Sequence, residues 1–173
     1  MITNKCFLTS FFCIYVNLAF ADNVYLSFNG RLVSPPCSID MVSSNLNPSL
    51  GNISVDDLST AGAVSKEIPF QIKLNNCPSE TSKVIVGFSG KNYPDNLSVF
   101  ASNGTAQNVG VQLKQKDESW DSVSVRPGGT LTQYISKEDN STTLNFITRA
   151  ITQTGNVTPG TINTNITVTF IYQ

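Results

Sequence analysis

Residues 24–32 read Val24-Tyr25-Leu26-Ser27-Phe28-Asn29-Gly30-Arg31-Leu32, and their alternation is typical of a β-strand. Apolar side chains at 24, 26, 28 and 32, with glycine at 30, share one face, and the residues between them are mostly polar or amphipathic. At roughly 3.3 Å per residue the stretch spans about 30 Å, which is longer than a usual strand. A strand with one apolar face needs a sheet to cover that face. It therefore either pairs within its own domain or forms an arm that inserts into another chain.

The composition narrows the class of protein. The chain has 173 residues and a net charge of −1, so its length suggests one domain and it carries no basic excess for binding nucleic acid. It contains no histidine, which excludes Ser-His-Asp and Cys-His catalysis and His-containing metal sites. Ser, Thr and Asn are abundant, and no long helical pattern is present. These features favour an all-β domain built from many short strands.

Residues 1–21 are predicted to be a secretory signal peptide. Lys5 gives a short positive start, residues 6–20 are largely apolar, and Ala19-Phe20-Ala21 matches a small-residue cleavage site. The alternative is an uncleaved membrane anchor, but the apolar run falls short of the ~20 residues that span a bilayer. We therefore expect an exported mature chain that begins at Asp22 and has no transmembrane segment.

Signal cleavage leaves two cysteines. Cys6 and Cys13 leave with the signal, so Cys37 and Cys77 form one pair in an exported chain and allow one disulfide connectivity. Closing a loop of about 41 residues contributes roughly 4 kcal/mol in the chain-entropy model. Because no C-x-x-C motif is present, we expect a structural disulfide.

The mature chain contains several short segments in which apolar and polar residues alternate. A bend or edge is expected at 34–40, and loops are expected at 57–65 and 91–105. One face of the last predicted strand carries Ile166, Val168, Phe170 and Tyr172. The strands are predicted at 50–55, 68–74, 83–90, 109–113, 120–125, 144–150 and 162–173. About seven short strands and one disulfide indicate an immunoglobulin-like sandwich, although no tryptophan lies between the cysteines as it does in antibody domains.

Other patterns have competing interpretations. Trp120 is either a ligand platform or a residue that packs at the rim of the sandwich, and burial statistics favour packing. Carboxylate pairs such as Asp56-Asp57 and Glu138-Asp139 lie in polar segments, so a solvated surface explains them better than catalysis. Six N-x-S/T sequons could indicate glycosylation, but chance occurrence in a chain rich in Asn, Ser and Thr is favoured.

A series of motifs, in order and spacing, resembles the fimbrial subunits (pilins) of the bacterial chaperone–usher pathway. The resemblance covers residues 22–173 and is closest to the minor or adaptor subunits of type 1-like fimbriae. A glycine fourteen residues from the end (Gly160) and a penultimate tyrosine (Tyr172) are its most specific features. The other motifs are the alternating arm with Gly30, Cys37, Leu50-Gly51-Asn52-Ile53, Ile68-Pro69-Phe70 before Cys77, Val86-Gly87-Phe88-Ser89-Gly90, Val109-Gly110-Val111-Gln112-Leu113, Leu144-Asn145-Phe146 and Thr158-Pro159-Gly160.

The resemblance implies an incomplete immunoglobulin-like β-sandwich that lacks its last strand and is completed by donor-strand complementation. It assigns residues 22–33 to a donor-strand arm and 34–173 to a pilin domain. From the residues alone, an arm and an ordinary first strand are equally supported, and the resemblance favours the arm. It implies donor-strand positions Val24, Leu26, Phe28, Gly30 and Leu32. The implied edge for the chaperone and the donor strand consists of Gly160, Ile166, Val168, Phe170, Tyr172 and Gln173.

The same resemblance implies function and partners. A periplasmic pilus chaperone, an outer-membrane usher and neighbouring fimbrial subunits are the expected partners, and strand addition is the expected mechanism. The chain is expected to reach the surface fimbrium of a Gram-negative bacterium through the periplasm and to support cell adhesion without enzymatic activity or a cofactor. An internal subunit is favoured, since the chain has an arm and no room for a second lectin domain. The alternative function is a secreted immunoglobulin-like adhesin domain that binds a receptor or glycan.

Overall fold

The computed structural model of the chain describes residues 36–94 and 96–173. The predicted signal peptide and the predicted arm, with Val24, Leu26, Phe28, Gly30 and Leu32, lie outside the described residues. The described parts contain a short 3-10 helix, η1 (Asp56–Leu58). Their strands are β1 (Ser38–Ile39), β2 (Ile68–Asn75), β3 (Lys83–Ser89), β4 (Asn92–Tyr93), β5 (Asn96–Ala101), β6 (Gly110–Gln115), β7 (Thr130–Tyr134), β8 (Thr142–Ile151) and β9 (Thr167–Tyr172).

The strands form two antiparallel sheets. The larger sheet has the order β1-β2-β8-β6-β5-β4, and the smaller sheet has the order β7-β3-β9. The chain therefore folds as an incomplete immunoglobulin-like sandwich, as predicted. Strand β9 pairs with β3 alone among the described strands, so the last strand of the chain lies at a sheet edge.

The core lies between the sheets, where alternating side chains of β2, β3 and β8 meet. Val84, Val86 and Phe88 of β3 are buried, as the alternation predicts. The ring of Phe146 on β8 lies 5.2 Å from that of Phe70 on β2 and 5.9 Å, edge to face, from that of Phe88. Aromatic pairs at such distances stabilise a core beyond the area that they bury.

The disulfide joins Cys37 to Cys77, as predicted. It links the residue just before β1 to the residue that follows β2 by two positions, and both cysteines are buried in the main core. Strand β1 lies within the bend or edge predicted at 34–40, and its two residues pair with the end of β2.

Three sequence predictions of strands or loops were wrong. Residues 120–125 were expected to form an edge strand, but they lie in the turns and bends between β6 and β7. The predicted loop 91–105 contains β4 and β5, and Val99 and Phe100 are fully buried. Residues 50–55 form no strand, and Gly51 has a φ of 70°. Strand β7, which sequence reasoning missed, pairs with β3.

The last strand is shorter than predicted. Sequence reasoning placed one strand at 162–173, but only Thr167–Tyr172 pairs with β3. Residues 161–166 continue the same alternation of exposed and half-buried side chains without a strand partner. The β3–β9 ladder ends at Thr167 because β3 itself ends at Ser89, and the local sequence pattern does not mark this end.

Candidate strand-acceptor groove

A groove of about 890 Å³ opens between the two sheets beside β9. Its floor is apolar and comes from four strands of both sheets. One wall consists of residues 46–53, and the other consists of residues 160–170. The floor residues are Phe70, Ile72, Phe88, Val111, Leu113, Phe146 and Thr148. Among the described residues, no charged side chain lines the groove, so its chemistry suits an uncharged, apolar occupant.

Within the described residues, the backbone groups on the outer side of the β9 wall have no strand partner. Lys83 and Gln173 exchange both of their backbone hydrogen bonds, at 3.0 and 2.9 Å. In an antiparallel ladder such pairs alternate, so residues 171, 169 and 167 also bond to β3. The N–H and C=O groups of Val168, Phe170 and Tyr172 consequently point toward the groove side, away from β3. Backbone groups left in this way form a template for pairing with another strand.

Residues 161–166 extend this wall beyond β9. Residues 102–105, in the loop after β5, form side-chain and backbone hydrogen bonds to them on the side away from the groove. The Thr161 N–H donates to Thr105 Oγ1 at 2.9 Å, and the Thr105 N–H donates to Thr161 Oγ1 at 3.1 Å. Asn163 C=O accepts from the Asn103 N–H at 2.6 Å. Because the odd-numbered residues bond outward, the even-numbered residues 162, 164 and 166 turn their backbone groups to the groove.

Gly160 lies where this wall meets the loop after β5. A Cβ atom at this position would lie 2.5 Å from the Ala106 backbone nitrogen and 2.6 Å from Thr105 Oγ1. Only glycine allows the two segments to approach so closely. Gly160 therefore fixes one end of the groove through packing.

We expect Gly160→Ala to lower the free energy of unfolding by about 1–3 kcal/mol, because the new methyl group overpacks a backbone contact. Gly87→Ala is the matched control, since a Cβ there meets its nearest atom, Thr130 Cγ2, at 4.0 Å. Urea unfolding of both variants measures the difference. Equal midpoints for the two variants would contradict the packing role of Gly160.

The opposite wall, residues 46–53, has no strand partner in the described parts of the chain. It follows Asn45, whose N–H donates to the Gln71 carbonyl at 2.9 Å, and then leaves the sheet. Leu50 packs against both hydrophobic clusters of the sandwich. The side chain is thus anchored, while no described strand pairs with the backbone of this wall. The N–H groups of Asn47 and Gly51 donate only to the nearby side chains of Asn45 and Ser49, each at 3.2 Å. The sequence motif Leu50-Gly51-Asn52-Ile53 marked this wall, although it was interpreted as a strand.

The structure brings most of the predicted edge residues together. Gly160, Ile166, Val168 and Phe170 line the groove. Tyr172 lies next along the same face, with its ring 6.5 Å from that of Phe170, and burial raises the pKa of its hydroxyl. Their side chains are only partly buried, because the space that a neighbouring strand would fill is open. Residues 46–53 and 102–105 also shape the groove, and sequence reasoning assigned no site role to them.

Trp120 lies away from the groove, on the outer side of the larger sheet. Its indole N–H donates to Glu67 Oε1 at 2.6 Å, and the Arg149 guanidinium lies 3.8 Å from its ring centroid. Arg149 also donates twice to Gln112 Oε1, at 3.1 and 3.0 Å. Burial lowers the pKa of Arg149, and the charges of Glu67 and Asp121 partly offset this effect. These contacts support the packing role of Trp120.

The described ranges 36–94 and 96–173 contain neither a candidate metal cluster nor a candidate membrane-spanning helix. Neither range contains a group of three or more acidic or cysteine side chains that could hold a metal ion. No helix within them is long and apolar enough to cross a membrane.

Comparisons with known proteins identify the family. Residues 26–173 match the model of the family described as "Fimbrial protein". The chain is 33% identical to Protein FimG of Escherichia coli K12 over 152 residues, covering 88% of this chain and 86% of that protein. It is 29% identical to the S-fimbrial adhesin protein SfaS of Escherichia coli O6:K15:H31, covering 92% of this chain and 91% of that protein.

A solved structure shows the same fold at lower identity. The P pilus adaptor subunit PapF matches with a TM-score of 0.53 and 18% identity, covering 82% of this chain and 98% of that one. The family match spans most of the sequence and includes both walls of the groove. The chain belongs to the fimbrial protein family and is a chaperone–usher pilus subunit.

Proposed function

We propose that the chain is an internal structural subunit of a surface fimbria, in which the groove accepts a β-strand from the N-terminal arm of a neighbouring subunit. The observation that carries this proposal is a pair of walls above an apolar floor, with no described strand between them. A strand laid between them forms main-chain hydrogen bonds and places alternate side chains on the floor.

The length and pattern of the predicted arm support the proposal. The wall from 162 to 172 has eleven residues, or about 36 Å of extended chain at 3.3 Å per residue. Residues 22–33, at the same rise, extend for about 40 Å. Val24, Leu26, Phe28 and Leu32 are the donor side chains, and Gly30 occupies the point where the backbones approach most closely.

The open groove also explains the need for a chaperone. An isolated sandwich with an unpaired apolar edge is prone to aggregation. In our proposal a periplasmic chaperone first covers the edge formed by Gly160, Ile166, Val168, Phe170, Tyr172 and Gln173. At the outer-membrane usher, the arm of the next subunit replaces the chaperone strand. The assembled fimbrium extends from the cell surface and supports adhesion.

Strand β9 offers a matched test of this function. Phe170 faces the groove, whereas the next residue, Ile171, is 55% exposed on the other face of the same strand. Phe170→Glu would bury a carboxylate under the inserted strand, so we expect it to abolish fibre assembly. Ile171→Glu changes the same charge at an exposed position, and we expect it to preserve assembly. Electron microscopy and the yield of sheared fibres measure fibre assembly for the two variants.

Copurification with the chaperone separates a groove defect from misfolding. Phe170→Glu should reduce capture by the chaperone as well as fibre assembly, because the chaperone strand and the arm of the next subunit both occupy this groove. Oxidation of both variants to the Cys37–Cys77 disulfide reports correct folding of the sandwich. Normal fibres from a correctly folded Phe170→Glu subunit would exclude the strand-acceptor function.

A second candidate function is adhesion through direct binding of a receptor or glycan. The similarity to SfaS, which is named an adhesin, favours it. A glycan array probed with assembled fibres, compared with fibres that lack this subunit, tests it. Binding that is lost with the subunit supports an adhesin, and identical binding supports a structural role alone.

A further inference from the structure

A turn with two exposed apolar side chains lies close to the start of the described domain. Met41 is 68% exposed and Val42 is 97% exposed, although both residues are apolar. The turn follows β1 directly and begins at Asp40. Adjacent exposed apolar side chains on a surface suggest an interaction site when their position is fixed.

Hydrogen bonds fix this turn. The Asp40 carboxylate accepts from the N–H groups of Val42 and Ser43, each at 3.0 Å, and from the Asn75 amide at 3.0 Å. The Asp40 N–H donates to the Lys73 carbonyl at 2.9 Å, which ties the turn to β2. Bonds from Ser43 and its neighbours lower the pKa of Asp40. Met41 and Val42 are consequently displayed by an ordered turn.

The turn lies at the outer edge of the larger sheet, beside Lys73 and close to the end of the sandwich where β2 and β9 finish. Cys37 is joined to Cys77, and the Thr81 N–H donates to the Pro78 carbonyl in the turn that follows Cys77. Ser82, next in the chain, donates to the Gln173 carbonyl at 2.7 Å. We call this end the root end, because the predicted arm precedes it in sequence.

The opposite end of the sandwich carries a second hydrophobic cluster. Leu58 of η1, Ala106, Val109, Ala150 and Val157 form that cluster, and Gly160 packs against Ala106. Val55, just before η1, is 37% exposed there. We call this end the far end and define its surface by residues 53–58 and 155–160.

The connection between arm and turn is short. Four residue steps separate Leu32 from Pro36, which allows at most about 14 Å of extended chain. A subunit that holds Leu32 in its groove must therefore lie close to the root end of the donor. Subunits that repeat head to tail bring unlike ends together and form an open filament. An arm that runs antiparallel to β9 places Leu32 beside residues 160–166 of the acceptor, so the root end of one subunit meets the far end of the next.

We infer that Met41 and Val42 dock on the far end of the neighbouring fimbrial subunit that holds this chain's arm. This inference rests on the proposed function. The contact adds a fixed apolar surface beside the inserted strand. It therefore limits rotation between the two subunits and slows their dissociation. The partner is a second subunit of the same fold, and its contacting surface corresponds to residues 53–58 and 155–160.

Site-specific photo-cross-linking in assembled fibres tests the contact. One mature chain carries p-benzoyl-phenylalanine in place of Val42, and the control carries it in place of Leu97, which is 69% exposed on β5. Fibres from cells that express the chain are irradiated, dissociated and analysed by mass spectrometry. We expect a strong subunit dimer from position 42, with the cross-link in the far end of the neighbour, and little dimer from position 97.

A second variant measures the strength of the contact. Met41→Ser combined with Val42→Ser should speed fibre dissociation in denaturant about tenfold, while the unfolding midpoint of the single subunit stays unchanged.

The outcomes separate the two proposals. Fibres that form normally but give no far-end cross-link from position 42, or an equal dimer from position 97, would overturn this inference alone. Absence of the subunit from all fibres would overturn the proposed function and the inference together.

Discussion

Fusing residues 22–33 behind Gln173 through a short flexible linker, in a chain that lacks its own arm, should raise the thermal unfolding midpoint by at least about 15 °C. The fused arm can fold back beside β9 and pair with the open backbone groups of Val168, Phe170 and Tyr172. Four apolar side chains buried on the groove floor contribute roughly 6–12 kcal/mol, at 1.5–3 kcal/mol each. Calorimetry on the monomer, with its size checked by gel filtration, measures the shift.

Gly30→Arg in the fused arm is the control for this experiment. The long charged side chain would have to enter a groove that has no charged lining, so most of the gain should disappear. Arg31→Ala changes the neighbouring position on the other face of the arm and should preserve the gain. If the chain without its arm is already stable and the fusion leaves its thermal unfolding midpoint unchanged, the groove does not accept a strand.

Removal of the disulfide should have the second largest effect. Cys37→Ala combined with Cys77→Ala opens a loop with a sequence separation of 40, and the chain-entropy model predicts a loss of about 4 kcal/mol in the free energy of unfolding. Both side chains are also buried in the main core, so their replacement leaves small voids. Urea unfolding monitored by Trp120 fluorescence measures the loss.

The wild-type chain under reducing conditions is the matched control for the disulfide. Its loss of stability should approach that of the double variant, because both lack the covalent link. An unfolding midpoint that does not change on reduction would show that the disulfide contributes little. The yield of fibres should fall together with stability, since β1 and the turn after it depend on the position of Cys37.

The strands that sequence reasoning found are those with a strong local pattern. Residues 84, 86 and 88 are apolar at alternate positions, and the structure buries all three, whereas Ile85 on the other face is only partly buried. Alternation succeeds here because β3 and β8 have one face on the core, and a shift of one residue would expose every apolar side chain. The disulfide between Cys37 and Cys77 could be predicted because the predicted signal cleavage leaves one cysteine pair.

The errors have a common physical cause. Phe100 is fully buried on β5, but polar residues surround that strand in sequence, so its local pattern resembles a loop. Residues 50–55 show the reverse case, since their pattern resembles a strand but no strand in the described part of the chain pairs with them. Strand formation depends on a neighbour that completes the hydrogen bonds, and a local pattern does not identify that neighbour.

The sequence by itself determined the class of fold, the cysteine pair, the family resemblance and the alternating faces of the arm and the last strand. Each of these depends on neighbouring residues or on simple counting. Only the tertiary structure decided that two segments distant in sequence, 46–53 and 160–172, face each other across an apolar floor with no described strand between them. It also decided that Thr105 and Thr161 hold one wall in place. Such features arise from contacts between distant segments, and the periodicity of a single segment carries no information about them.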